Sequence, residues 1–209
     1  MGTLLYFLLA AVASFIGSLQ AGVVNTAVLA HTVKWGRTAG RRMAVGGSIP
    51  ELLYAAVAFW GAGRLVVLLD MGARGITTVV ASILLALGLY FVFFFRPRPA
   101  APGEDKLAGD LWRGVLLGLA NPQLLLFWCG VKLLFVSLGL TGEGVAQLVA
   151  FALGAFAGAL VLLLVLVRLG VRAQERLSPA GLRRLFRAVG LLLLASGCYG
   201  LLRAQGWVP

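Results

Sequence analysis

The chain has 209 residues, of which 61% are hydrophobic and 12% charged, and its mean hydropathy is +0.99. Water-soluble domains are nearer about half apolar and a quarter charged, so this composition excludes a soluble protein and describes an integral membrane one. The net charge of +11 does not signal a nucleic-acid partner, because Lys and Arg fall in short clusters between apolar runs, as membrane orientation requires.

Six apolar segments lie at roughly 3–33, 43–63, 75–95, 111–138, 145–167 and 186–203. Each has the about 17–25 residues that cross a hydrocarbon core, or somewhat more. The expectation is an all-α integral membrane protein with six transmembrane helices. Ala11-Val12-Ala13 in the first segment looks like a signal-peptidase site. No basic residue precedes it and the apolar run continues past it, so a retained helix is expected. About 30 residues of straight helix would extend about 45 Å, beyond a core of about 30 Å. The segment should therefore break at Gln20-Ala21-Gly22-Val23-Val24-Asn25, where polar and helix-weak residues interrupt it.

The second segment carries Glu51 beside Pro50, near the middle of a run from Met43 to Gly63 with no other charge. A carboxylate at mid-membrane is costly and normally faces a cavity or a partner. The proline removes a backbone donor and is expected to bend the helix, freeing carbonyls to line a site. The third segment ends near Gly88-Leu89-Tyr90, and Pro97, Pro99 and Pro102 follow among alanines and acids in a loop that reads as a linker. A second interruption, Asn121-Pro122-Gln123, lies within the fourth segment, and Gly197-Cys198-Tyr199 in the sixth answers Gly88-Leu89-Tyr90. The chain thus divides into a first three-helix repeat (1–95), a cytoplasmic linker (96–110) and a second three-helix repeat (111–209). Three spans per half make the repeat inverted, and paired interruptions in corresponding spans point to a transporter's central site.

Fourteen of the eighteen Lys and Arg residues fall after the first, third and fifth segments, Lys34, Arg98 and Arg176 among them, against four elsewhere. The positive-inside rule then places the three basic loops in the cytoplasm and both termini outside. Anionic lipid headgroups account for the basic stretch from Arg168 to Arg187. Lys132, in the outer third of the fourth segment, is expected to snorkel to the interface. Trp60, Trp112 and Trp207 near span ends read as interfacial anchors, whereas Trp128 reads more as packing than as the wall of a site. Gly114-x-x-x-Gly118 and Gly154-x-x-x-Gly158 permit close helix approach.

At these residues the sequence resembles the LysE/RhtB family of amino-acid exporters (LysE-type translocators) over roughly 3–203. Ser18 to Asn25 sits where that family has its Pro-Gly-Pro-Asn-like break, and the Gly36–Gly40 basic turn and Gly46-Gly47 follow at family spacing. Asn121 to Trp128 looks like the family's Asn-Pro-Lys segment. The prolines of the first motif are absent and Gln123 replaces the usual lysine. Glu51 with Tyr54 resembles a subset of the family.

Glu51 can bind a substrate ammonium or carry a proton, or else form a structural hydrogen bond to a neighbouring helix. Asn25 and Asn121 each offer a donor and an acceptor at a helix interruption, and the freed amides and carbonyls there suit the two ends of an amino-acid zwitterion. Each asparagine can equally cap its own half-helix. Gln20 and Gln123 flank the breaks as supporting or plain polar lining, and Gly22, Pro50 and Pro122 are expected to supply the breaks themselves. The resulting expectation is a proton-coupled secondary exporter of an amino acid or similar small polar metabolite in a bacterial cytoplasmic membrane. It is no enzyme and needs no cofactor or metal; at 22.0 kDa a homodimer is compatible with its size. Two alternatives stand beside it. A divalent metal-ion exporter would need several carboxylates or a His/Cys set, with His31 the single histidine. A membrane thiol-disulfide protein would need Cys129 and Cys198 at equivalent depths of the two halves.

Overall fold

A computed structural model of the chain describes residues 2–19, 22–71, 78, 81, 82, 84–86, 88–94, 107–121, 123–176 and 178–207. Among these residues all regular structure is helical: α1 (Gly2–Gly17), α2 (Val23–Met71), a π-helical turn at Tyr90–Phe94, α3 (Leu107–Leu119), α4 (Gln123–Ser137), α5 (Val145–Arg176) and α6 (Pro179–Ala204). Among the described residues, three helical stretches are long and apolar enough to cross a membrane, Val23–Ala62 (which folds back at Gly36, so that its second arm is the span), Val145–Arg176 and Arg183–Ala204. A fourth span results if Gly109–Leu119 and Gln123–Val136, which meet at 65°, are taken together. Leu84–Phe94 and Gly2–Gly17 are shorter apolar helices.

Helix α2 is a hairpin. Gly36 has φ 87°, ψ −179°, a left-handed φ that glycine reaches without a Cβ clash, and the chain reverses there. The arms 23–35 and 37–71 pack antiparallel, with Gly47 on Val24, Gly40 on Thr32, and Met43 and Ala44 in one buried cluster with Val28. Arm 23–35 follows α1 after a short interruption, so the first apolar segment is indeed split into two helices. Pro50 does not break the helix: the non-helical backbone inside α2 is at Gly36. Pro50 is instead fully buried and seated on Gly118 of α3.

Two parallel helix pairs form the body of the bundle. Helix α1 runs alongside α5, because Gly154 lies against the Phe7 carbonyl and Gly158 against the Ala11 carbonyl. Arm 37–71 runs alongside α3, because Gly46 lies against the Leu111 carbonyl, Gly114 against the Met43 carbonyl and Gly118 against Pro50. A Cβ at any of these glycines would run into its neighbour, so both Gly-x-x-x-Gly pairs work as the sequence suggests, admitting backbone rather than side chain. A third, antiparallel pair joins the stretch before Phe94 to α6. There Gly88 faces Leu194 and Gly197 faces Leu85, a reciprocal packing of the two Gly-x-Tyr motifs.

Three buried clusters result. The largest gathers Tyr6, Phe59, Trp128, Phe135 and Phe151 at the end of the bundle remote from Gly36. Phe91, Phe186 and Leu193 pack with Ala30 and Val33, and Leu163 and Val167 with Val28. At the Gly36 end, His31 Nε2 lies 2.9 Å from Asp110 Oδ1, with Arg113 at 3.8 Å from the same oxygen. This pair ties the hairpin to α3, which begins at Leu107, inside the stretch read as a linker; residues 96–106 lie outside those described.

Candidate functional site

The two interruptions meet around one cavity of about 160 Å³. A cavity of about 150 Å³ holds a benzene-sized molecule, so this one is on the scale of a small metabolite. Gly17, Ser18, Gly22, Val23, Val24 and Asn25 line it from the first break, and Asn121, Gln123, Leu124 and Phe127 from the second. Gly47 and Glu51 of α2, Ala159 and Leu163 of α5, and Leu84 complete it.

Each break leaves backbone groups without helical partners. The first turns of α2, at Val23 to Asn25, and of α4, at Gln123 and Leu124, line the cavity and bring two positive helix ends to it. The side-chain amide of Asn25 donates to the Ser18 carbonyl (2.5 Å), bridging the end of α1 to the start of α2. Asn25 thus supports its break as well as lining the cavity, so the capping and lining roles coexist at this residue. At the second break the Asn121 N–H donates to the Gly118 carbonyl and its carbonyl accepts from Leu124 N–H, both at 3.2 Å. The Asn121 side-chain oxygen Oδ1 is buried with no hydrogen-bond partner. An unsatisfied buried acceptor is costly, which suits an oxygen that a bound donor completes.

Glu51 reaches the same cavity, one turn of helix from Gly47. It is 5% exposed, and one carboxyl oxygen, Oε2, accepts from the Trp128 indole N–H. Trp128 is fully buried, in edge contact with Phe127 and Phe151. It therefore does more than pack: it orients the carboxyl that faces the cavity. Sequence reading missed this role, since 77 residues separate the two and only the packing of α4 on α2 joins them. Tyr54 does not line the cavity. Its hydroxyl donates to the Leu119 carbonyl (2.8 Å), satisfying the end of α3 just before the second break. Gln123 lines the cavity from an exposed position; Gln20 and Pro122 lie outside the described residues.

Lys132 corrects an expectation. It does not snorkel: it is 4% exposed, its Nζ has no hydrogen-bond partner, and it sits 4.1 Å from the Phe59 ring centroid and 5.8 Å from that of Tyr6. Trp60, 64% exposed, donates its indole N–H to the Glu143 carbonyl (3.2 Å) at the same end. Neither alternative function finds support: among the described residues no group of three His, Cys, Asp or Glu converges as a metal set, and Cys129 and Cys198 are unpaired, one buried and one exposed.

Apolar helices, two of them interrupted around a mainly apolar cavity that holds a carboxylate and two asparagines, define a multi-pass membrane protein of the kind that moves small solutes. A family model described as LysE type translocator matches residues 15–204, most of the chain, and the protein belongs to that family. No curated protein and no solved structure matches it.

Proposed function

We propose that this protein is a proton-coupled secondary exporter of an amino acid or a similar small polar metabolite. The observation that carries the reading is the convergence of both helix breaks and Glu51 on one cavity. Its walls supply both halves of zwitterion recognition. Helix N-termini and Asn121 lie where a carboxylate and an ammonium need partners, and Glu51 supplies the negative charge opposite an ammonium. Glu51, when ionised, binds the substrate ammonium; protonation from the outside releases it, which couples efflux to proton entry. The roles assigned to Asn25, Gln123 and Tyr54 are lining and support of this site.

The same reading has six spans in two inverted repeats, residues 1–95 and 111–209. Three features support it: the paired breaks, the matched parallel pairs α1–α5 and arm 37–71–α3, and the reciprocal Gly88–Leu194 and Gly197–Leu85 contacts. The basic residues around Gly36 and from Arg168 to Arg187 favour a cytoplasmic location for that end, against anionic lipid, in a bacterial inner membrane with both termini outside. A homodimer is compatible with this arrangement.

The test is a thermal-shift screen of purified protein against the protein amino acids, followed by counterflow of any stabilising one in proteoliposomes. Stabilisation and counterflow by at least one amino acid are expected. Stabilisation by divalent cations alone would overturn the reading.

A further inference from the structure

A lysine buried among aromatic rings is costly, because its ammonium leaves water without regaining acceptors. Lys132 is such a residue, and none of the roles given above uses it. A face-on aromatic ring at 4.1 Å offsets part of the loss of hydration but supplies no hydrogen-bond acceptor to its three N–H donors. The charged group that acts on it across space is Glu143, an exposed residue of the connection between α4 and α5.

Its position along the bundle gives the lysine meaning. Leu124, Trp128 and Lys132 are spaced four residues apart on α4 and so share one face of that helix. Leu124 lines the central cavity, Trp128 holds Glu51 at its edge, and Lys132 lies one turn further on. On α2, Phe59 stands about 12 Å beyond Glu51 in the same direction, and about 33 Å from the Gly36 end. The connection 138–144 closes over this region, held by Tyr6 hydroxyl to the Gly142 carbonyl (3.3 Å) and by Trp60 to the Glu143 carbonyl. Lys132 therefore stands between the cavity and the end of the bundle opposite the basic residues, behind the Trp128 ring.

We infer that Lys132 is a second, carboxylate-binding subsite on the path between the central cavity and that end of the bundle. This rests on the reading that the transported solute is an amino acid or a similar carboxylate-bearing solute. When the layer in which Phe151 joins Trp128 to Phe59 opens, the ammonium of Lys132 receives the carboxylate that leaves the helix N-termini, so the anionic end of the solute passes the aromatic layer paired rather than bare. A solute lacking the carboxylate gains nothing from the lysine.

The experiment compares counterflow of each radiolabelled protein amino acid with that of its decarboxylated amine, in proteoliposomes of wild type, Lys132→Met, Lys132→Gln, Lys132→Arg and Glu143→Gln. The wild type is expected to prefer at least one amino acid over its amine. Lys132→Met and Lys132→Gln should lower that preference about tenfold or more, while the Kd of the amino acid in detergent changes less than about twofold. Lys132→Arg should restore most of the preference, and Glu143→Gln should keep it. Two neutral variants of different polarity keep the test valid if one fails to fold. Equal loss for amino acid and amine, or an unchanged preference in a folded neutral variant, overturns the subsite and leaves the central site standing. A wild type that transports none of the amino acids overturns the proposed function and the subsite together.

Discussion

The indole N–H of Trp128 donates to the carboxyl of Glu51, two residues that the chain separates by 77 positions. One belongs to a helix leaving the second break, the other to the arm that climbs from Gly36. The bond fixes which way the lone carboxylate of the cavity points, and it joins the cavity to the aromatic cluster above it.

Trp128→Phe keeps a ring in place but removes the donor. A hydrogen bond to a charged group contributes about 1.5–3 kcal/mol, so substrate affinity should fall on the order of tenfold or more. Isothermal titration of the purified variant with the stabilising amino acid checks this. Unchanged affinity would make the contact a matter of packing alone.

Glu51→Gln preserves shape and hydrogen bonding but cannot change charge. Efflux driven by a pH gradient should disappear, while counterflow without a gradient persists only with a raised KM because the ammonium loses its ionic partner, and Glu51→Asp should keep part of the driven activity. Parallel efflux and counterflow assays in proteoliposomes separate the two. Undiminished gradient-driven efflux by the Gln variant would reduce Glu51 to a structural residue.

Asn121→Leu removes the unpartnered Oδ1, and Asn25→Leu removes the bridge to Ser18. Both should abolish export. They should differ in stability, because Asn121→Leu relieves an unsatisfied buried acceptor while Asn25→Leu leaves the end of α1 uncapped, a change of about 0.5–2 kcal/mol. Melting curves alongside transport distinguish them, and normal export by both variants would move the site elsewhere.

Gly158→Ala places a Cβ against the Ala11 carbonyl and Gly114→Ala one against the Met43 carbonyl, whereas Gly130→Ala meets no atom within 4 Å. The first two should lose about 1–3 kcal/mol through overpacking, and the third should gain up to about 1 kcal/mol from the helical preference for alanine. Thermal unfolding in detergent is the measurement. Equal behaviour of all three would mean that the close pairs α1–α5 and α2–α3 are not as described.

Orientation is checked on a Cys198→Ser background, since Cys198 is exposed. A cysteine at Gly142 should react with a membrane-impermeant thiol reagent in intact cells, and one at Arg176 should resist it. The reverse pattern would invert the topology.

The sequence by itself determined the membrane class, the family and two of the three places it marked as helix breaks. Those properties are written in local composition: apolar runs, helix-weak residues at Gly22 and Asn121, and glycines spaced one turn apart. Glu51 was legible too, because a charge inside an apolar run is conspicuous without any knowledge of its neighbours. The tertiary structure decided what those residues touch. Pro50 looked like a break and is a packing surface for Gly118, since one missing donor in a long packed helix does not outweigh its burial. Lys132 looked close enough to a span end to reach water, but the rings of Tyr6 and Phe59 and the connection after α4 close over it. Trp128 and Tyr54 acquire their partners only when helices distant in sequence pack together. Hydropathy and propensity are sums over neighbours in the chain, whereas a hydrogen bond between helices depends on their register and rotation, which packing sets.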